Sequence, residues 1–257
     1  MKAVILAGGL GTRISEETSI RPKPMVEIGG MPIIWHIMKT YAHYGIEEFV
    51  VLCGYKGHMI KDFFANYAMR SSSVEIDLSD GSIRLLDPVR EPWKITLVDT
   101  GETTMTGGRL KRAQPYLGDE TFLLTYGDGV SNVDINALLA THRADQSLVT
   151  LTAVQPPGRF GALTLGDKQT RVAQFLEKPE GDGAWVNGGY FAIEPAAIDY
   201  IDGDDTSLEQ QPLAGIANAG LLSAYKHPGF WQPMDTLRDK QYLESLWSAD
   251  KAPWRVW

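Results

Sequence analysis

Two short apolar runs constrain this chain most: Ala3-Val4-Ile5-Leu6-Ala7 and Phe49-Val50-Val51-Leu52-Cys53. A strand with one face in water alternates polar and apolar residues. A strand that does not alternate is covered on both faces, the situation of a parallel sheet between two helical layers. Between the runs the period changes. Apolar residues at 34, 37, 38 and 41, opened by Pro32 and followed by Gly45, predict a helix. Gly57 to Phe64, with 59, 60, 63 and 64 on one side, predicts a second.

Further strands are predicted at 121–126, 148–154 and 189–193, a hairpin within 158–175, and helices at 109–116 and 236–247. Ser71 to Val98 carries short alternating pieces around a polar loop and predicts an antiparallel excursion from the main sheet. There is no repeat, low-complexity tract or linker. The expectation is therefore an α/β fold: a Rossmann-like open, mostly parallel sheet with helices on both faces and antiparallel excursions. It forms a single domain over 1–257, closed by a short C-terminal helix and tail from about 236.

Composition narrows the function. A formal net charge of −8 lacks the basic face that nucleic-acid binding needs, so no nucleic-acid partner is expected. No segment reaches the roughly 18 apolar residues of a membrane span, and the first strand is too short for a signal peptide. Cys53 is the only cysteine, which rules out an internal disulfide and a cysteine-built zinc site. It reads as a core residue. A cytoplasmic protein without a membrane partner is expected. His36 and His43, seven apart on the first helix, form no ligand set and read as surface or interface residues. The tail Ala252-Pro253-Trp254-Arg255-Val256-Trp257 is expected to pack against this or another subunit.

The chemistry concentrates in Leu6 to Met25, LAGGLGTRISEETSIRPKPM. Gly8, Gly9 and Gly11 follow a buried strand, at the carboxyl end where open α/β sheets bind ligands. Such glycines allow backbone N–H groups to approach an anion, or they make a turn with no ligand. A dinucleotide fingerprint fails because Ile14 stands where its last glycine belongs. A Walker A loop fails because Thr12-Arg13 follows Gly11. Arg13 follows the glycines at once, and Lys23 sits between Pro22 and Pro24. Prolines on both sides give the lysine a rigid mount, suited to fixed electrostatic work, although out of context it also reads as a lysine in a surface turn.

AGGLGTR, RPKPM and GGMPIIWHIMK together resemble the sugar-phosphate nucleotidyltransferases. These enzymes join a nucleoside triphosphate to a sugar 1-phosphate and release pyrophosphate. The resemblance continues through FVVLCGYKGH, LLTYGDGVS, GRFGAL, EKPEGDGAWVNGG and FWQPMDTLRDK, nearly the whole chain. ISEETSIRPKPMVEIGG departs from the L-x-P-L-T spelling of the thymidylyl and uridylyl branches toward the cytidylyl branch. The resemblance therefore implies the nucleotidyltransferase fold, CTP and α-D-glucose 1-phosphate as substrates, and CDP-glucose as product. It further implies a single activity, a Mg²⁺ cofactor, a homo-oligomer, and a place in supplying dideoxysugars for surface polysaccharide.

The same resemblance implies residue roles. Arg13 and Lys23 act on the phosphates. Leu6, Ala7, Gly8, Gly9, Leu10, Gly11, Thr12, Thr104, Arg109, Gly127 and Gly129 line the nucleotide. Gly161, Glu177, Lys178, Asn187, Gly188 and Trp231 line the sugar phosphate, and Asp128 and Asp235 hold Mg²⁺. Several have plainer readings taken singly: Asp235 as a helix N-cap, Glu177 and Lys178 as a solvated hairpin pair, Trp231 as core. The roles suit the chemistry. A phosphate monoester, whose second pKa is about 6, attacks as an ionised oxygen and needs no base. Its difficulty is alignment and the meeting of two anions, which cations and a carboxylate-held metal relieve.

Overall fold

The computed structural model describes residues 1–156, 162–165, 172–176 and 185–257. Seven strands form the central sheet: β1 (Lys2–Ala7), β2 (Glu48–Cys53), β3 (Lys94–Asp99), β4 (Phe122–Tyr126), β5 (Val149–Val154), β6 (Val186–Ile193) and β7 (Leu222–His227). Their order is β7-β5-β6-β4-β1-β2-β3. The pairs β1–β2, β1–β4, β2–β3 and β5–β7 are parallel, and only β6 runs against its neighbours. The carboxyl ends of the other strands and the amino end of β6 therefore share one edge.

The unalternating strands are buried on both faces, as their sequence requires. Along β1, Ala3, Ile5 and Ala7 enter one core while Val4 and Leu6 enter the other. Phe49, Val51 and Cys53 of β2 join the first core, and Val50 and Leu52 the second. The first core is covered by α1 (Ile33–His43), α2 (Gly57–Ala65), α4 (Ile135–Asp145) and α6 (Leu237–Ser248). The second is covered by α3 (Thr106–Leu117) and α5 (Gln211–Asn218). Cys53 is a buried core thiol, pushed up to about 11 by its burial.

Two expectations are corrected. The stretch 71–98 is antiparallel only in part. Val74–Asp77 and Ser82–Leu85 form a separate hairpin, but Lys94–Asp99 joins the main sheet parallel to β2. It alternates because it is the edge strand, only half covered. His36 is not at the surface. It is wholly buried, with Nε2 2.8 Å from the Ile28 carbonyl and its ring edge-on to Trp247 at 4.7 Å. Burial lowers it to about 4, against backbone hydrogen bonds at Ile28 and Met31. The tail supplies that cover within the same chain: Trp254 is fully buried and stacks on Phe230 and Trp247. His43 is exposed. Ala162–Leu165 and Val172–Leu176 pair antiparallel, as the predicted hairpin requires. No helix among the described residues is long and apolar enough to cross a membrane.

Candidate active site

The glycine loop leaves β1 at the shared edge, where Arg109 braces it from below. Arg109 extends from α3 and is 4% exposed. Its Nη2 donates to the carbonyls of Gly8 and Glu102, each at 3.0 Å. Its Nη1 donates to the Gly101 carbonyl at 2.6 Å and to Thr100 Oγ1 at 2.7 Å. One guanidinium thus ties together the ends of β1 and β3. Gly8 and Gly54 are glycines because a Cβ on either would run into that guanidinium, and one on Gly54 would also lie 2.7 Å from two backbone oxygens. Gly11 takes φ 63, the left-handed region, while Gly9 borders open space. No long helix follows: a 3₁₀ turn (Thr12–Ile14), one α turn (Ser15–Thr18) and a second 3₁₀ turn (Lys23–Met25) lead to α1. Leu10 and Thr12 are exposed, and Leu6 and Ala7 end the buried strand.

Lys23 opens the second 3₁₀ turn, with Pro22 extended before it (φ −68, ψ 150) and Pro24 inside it. Its side chain is only 8% exposed, and Nζ lies 2.7 Å from both Asp128 Oδ2 and Asp235 Oδ1. Arg13 Nη1 lies 2.6 Å from the other oxygen of Asp235. Four residues singled out in the sequence therefore meet as alternating charges. A short ladder draws the carboxylates together: Gly129–Ser131 pairs with Trp231–Pro233, and the Met234 N–H donates to the Asp128 carbonyl at 2.8 Å. The Gly127 N–H donates to the Leu6 carbonyl at 2.9 Å, which locks this segment to β1.

Asp235 is not the N-cap of α6. Thr236 caps it, reciprocated by Asp239 in a capping box. The Asp235 carboxylate is left to the cations. Among the described residues no three His, Cys, Asp or Glu side chains converge as a metal group. Asp128 and Asp235 are a two-carboxylate set, which suits Mg²⁺, an ion commonly held by one or two carboxylates together with substrate phosphates.

The residues that the resemblance assigns to the sugar phosphate fall into two groups. Asn187, Gly188 and Trp231 come together: Trp231 is half-buried, and its indole N–H donates to the Gly188 carbonyl at 2.7 Å. Gly161, Glu177 and Lys178 lie outside the described residues. Thr104 is buried at the turn before α3. Sequence reasoning passed over Glu209, which accepts from Tyr126 at 2.6 Å and from Thr106 at 2.6 Å. Burial opposes its charge, yet hydrogen bonds from Thr106, Tyr126 and Ser207 hold its carboxyl below the ordinary glutamate value. No local motif marks Glu209, because Thr106 and Tyr126 stand 103 and 83 residues away from it.

The family described as Nucleotidyl transferase matches residues 2–228 of this chain. The chain belongs to the nucleotidyl transferase family. This nucleotidyltransferase is 57% identical to the glucose-1-phosphate cytidylyltransferase of Salmonella typhimurium (strain LT2), with 100% of both chains covered. It is 43% identical to a probable glucose-1-phosphate cytidylyltransferase of Bacillus subtilis, again over 100% of both. Its fold is similar to that of HddC from Yersinia pseudotuberculosis, with a TM-score of 0.70 at 22% identity over 96% of this chain and 99% of that one.

Proposed function

We propose that this nucleotidyltransferase transfers the cytidylyl group of CTP to α-D-glucose 1-phosphate, giving CDP-glucose and pyrophosphate. The observation that carries the chemistry is the convergence of Lys23 and Arg13 on Asp128 and Asp235 at the carboxyl edge of the sheet. Full-length identity of 57% to the Salmonella enzyme supports the choice of substrates. A sugar-phosphate oxygen forms a bond to the α-phosphorus while the bond from that phosphorus to the pyrophosphate oxygen breaks. No side chain has to take a proton from an oxygen that is already ionised. Lys23 and Arg13 give up their carboxylate partners for phosphate oxygens and offset the charge gathering on the leaving pyrophosphate. Asp128 and Asp235 would then hold Mg²⁺, which when bound neutralises phosphate charge. Glu177 and Lys178 are assigned to the sugar and its phosphate, with Asn187, Gly188, Gly161 and Trp231 around them. Thr104 is assigned to the base, and Arg109 serves the nucleotide loop by bracing it.

In this reading residues 1–257 are one cytoplasmic domain acting as a homo-oligomer of identical subunits. The hairpin Val74–Asp77/Ser82–Leu85 supports the last point. Its Ile76 and Ile83 face each other across the ladder and are 56% and 57% exposed, beside Leu78 at 91%. Glu75 and Arg84 pair on the opposite face. An isolated two-stranded ribbon with a bare apolar face is marginal in water, and a second copy of this chain would cover it.

The test is pyrophosphate release with glucose 1-phosphate and each of CTP, UTP, dTTP and ATP, with and without Mg²⁺. Metal-dependent release confined to CTP is expected. Release with another nucleotide would overturn the base assignment and keep the mechanism. No release with any of them, alongside tight CTP binding, would make the chain a binding subunit.

A further inference from the structure

The hydrogen bonds around Tyr126 run one way. A carboxylate only accepts, so the Tyr126 hydroxyl, 2.6 Å from Glu209 Oε1, commits its proton there. Its oxygen is then an acceptor, and Asn187 Nδ2 donates to it at 3.2 Å. On the other side of the same amide, Asn187 Oδ1 accepts the Gly189 N–H at 2.9 Å. Gly189 has φ +79, and a Cβ there would lie 3.0 Å from Tyr126 Cε2, so ring and backbone are in close contact. Glu209 is itself pinned. Its Oε2 accepts from the hydroxyls of Thr106 at 2.6 Å and Ser207 at 2.7 Å, and Thr106 Oγ1 accepts the Leu208 N–H at 2.9 Å. The chain of bonds runs from the first turn of α3 to the amino end of β6, passing two residues before Asp128.

We propose that Glu209 is a positioning residue for the sugar subsite: through Tyr126 it acts with the Gly189 N–H to hold the Asn187 amide one way round. That orientation leaves one N–H and one Oδ1 lone pair of Asn187 for a ligand. A sugar hydroxyl, which both donates and accepts, is met by such a pair. Glu209 touches no substrate in this arrangement. Its contribution depends on two charged acceptor oxygens: a glutamine at 209 would either turn an N–H toward Tyr126 and reverse the order, or keep a weaker neutral acceptor there with its N–H against Thr106 and Ser207. The inference rests on the assignment of Asn187 to the sugar side in the proposed function.

Steady-state kinetics of Glu209→Gln and Tyr126→Phe, with each substrate varied separately, test it. The KM for glucose 1-phosphate should rise about tenfold in both, the worth of one charge-assisted hydrogen bond. The KM for CTP should stay within about twofold. Asn187→Ala should raise the sugar KM as well, and adding Glu209→Gln to it should change nothing more, the mark of one residue acting through another. Equal rises for both substrates, additive effects in the double variant, or an unchanged sugar KM in Glu209→Gln would overturn the proposal. If the wild-type protein turns over no glucose 1-phosphate, the functional reading falls instead. The Asn187 side-chain ¹⁵N–H resonances of substrate-free protein, assigned with Asn187→Ala, then decide the relay. They should move in both Glu209→Gln and Tyr126→Phe, and resonances that stay in place would refute it.

Discussion

Lys23 is the one cation among the described residues shared by both carboxylates, so replacing it with methionine, close in length but uncharged, should change what the site binds. Nζ lies 2.7 Å from an oxygen of Asp128 and 2.7 Å from one of Asp235. The two carboxylate oxygens therefore lie no more than about 5.4 Å apart (twice 2.7 Å), and at an effective dielectric near 20 they repel by at least about 3 kcal/mol once the ammonium is gone. Arg13 remains on Asp235, but its side chain is 71% exposed and offsets little. The substrate-free Lys23→Met protein should lose about 2–4 kcal/mol, which for a chain of this size lowers Tm by about 5–12 °C. Mg²⁺ alone should restore that loss, because a divalent ion now meets two unpaired carboxylates; at about a hundred times its Kd it contributes about 2.7 kcal/mol. Wild-type protein without nucleotide should barely respond, since Lys23 already fills the position. Differential scanning calorimetry, with and without Mg²⁺, reads both effects, and Mn²⁺ binding by electron paramagnetic resonance checks the second. A variant as stable as wild type, or equal metal responses in the two proteins, would refute the reasoning.

Four other outcomes follow from the packing. His36 stays neutral in the fold down to about 4 but titrates near 6.5 when unfolded, so the unfolded chain binds more protons between those values. Stability should fall by about 3 kcal/mol as pH drops from 7 to 4, and urea midpoints of wild type against His36→Gln should show the variant losing that part of the slope. Gly54→Ala, whose Cβ meets backbone oxygens at 2.7 Å, should cost about 3 kcal/mol in urea unfolding. Gly8→Ala, whose nearest contacts are the Arg109 guanidinium rather than backbone, should cost less in Tm while lowering turnover. Trp254→Ala, which removes a fully buried side chain, should cost about 3–5 kcal/mol in denaturant unfolding.

What the sequence could reveal depended on how far apart the deciding residues lie. β1 and β2 declared their double burial in five consecutive residues, and the structure buries them so. The alternation along Ile95-Thr96-Leu97-Val98 reads as part of an antiparallel excursion, because an edge strand and an antiparallel piece share that pattern and no residue in it marks the difference. His36 reads as a surface or interface residue on its own helix, and the C-terminal helix and tail more than two hundred residues later help to bury it. At Asp235 two capping candidates stand side by side, and Thr236 wins because Asp239 is spaced to reciprocate. Lys23 between its prolines was legible as a mount, but its two acceptors lie 105 and 212 residues away and no spacing rule joins them. Glu209 left no trace at all, since a lone glutamate after a leucine carries no pattern.

The pairing of Lys23 with Asp235 across 212 residues has a consequence for synthesis. A growing chain folds largely from its amino end. The loop that carries Arg13 and Lys23 is made some two hundred residues before Asp235, the carboxylate that pairs with both. Until then Lys23 has Asp128 alone, without the 231–233 ladder to hold it, and Arg13 lacks its Asp235 partner. A nascent chain therefore makes most of its sheet before it holds both carboxylates, and under the proposed mechanism turnover should appear only once residue 235 has been made.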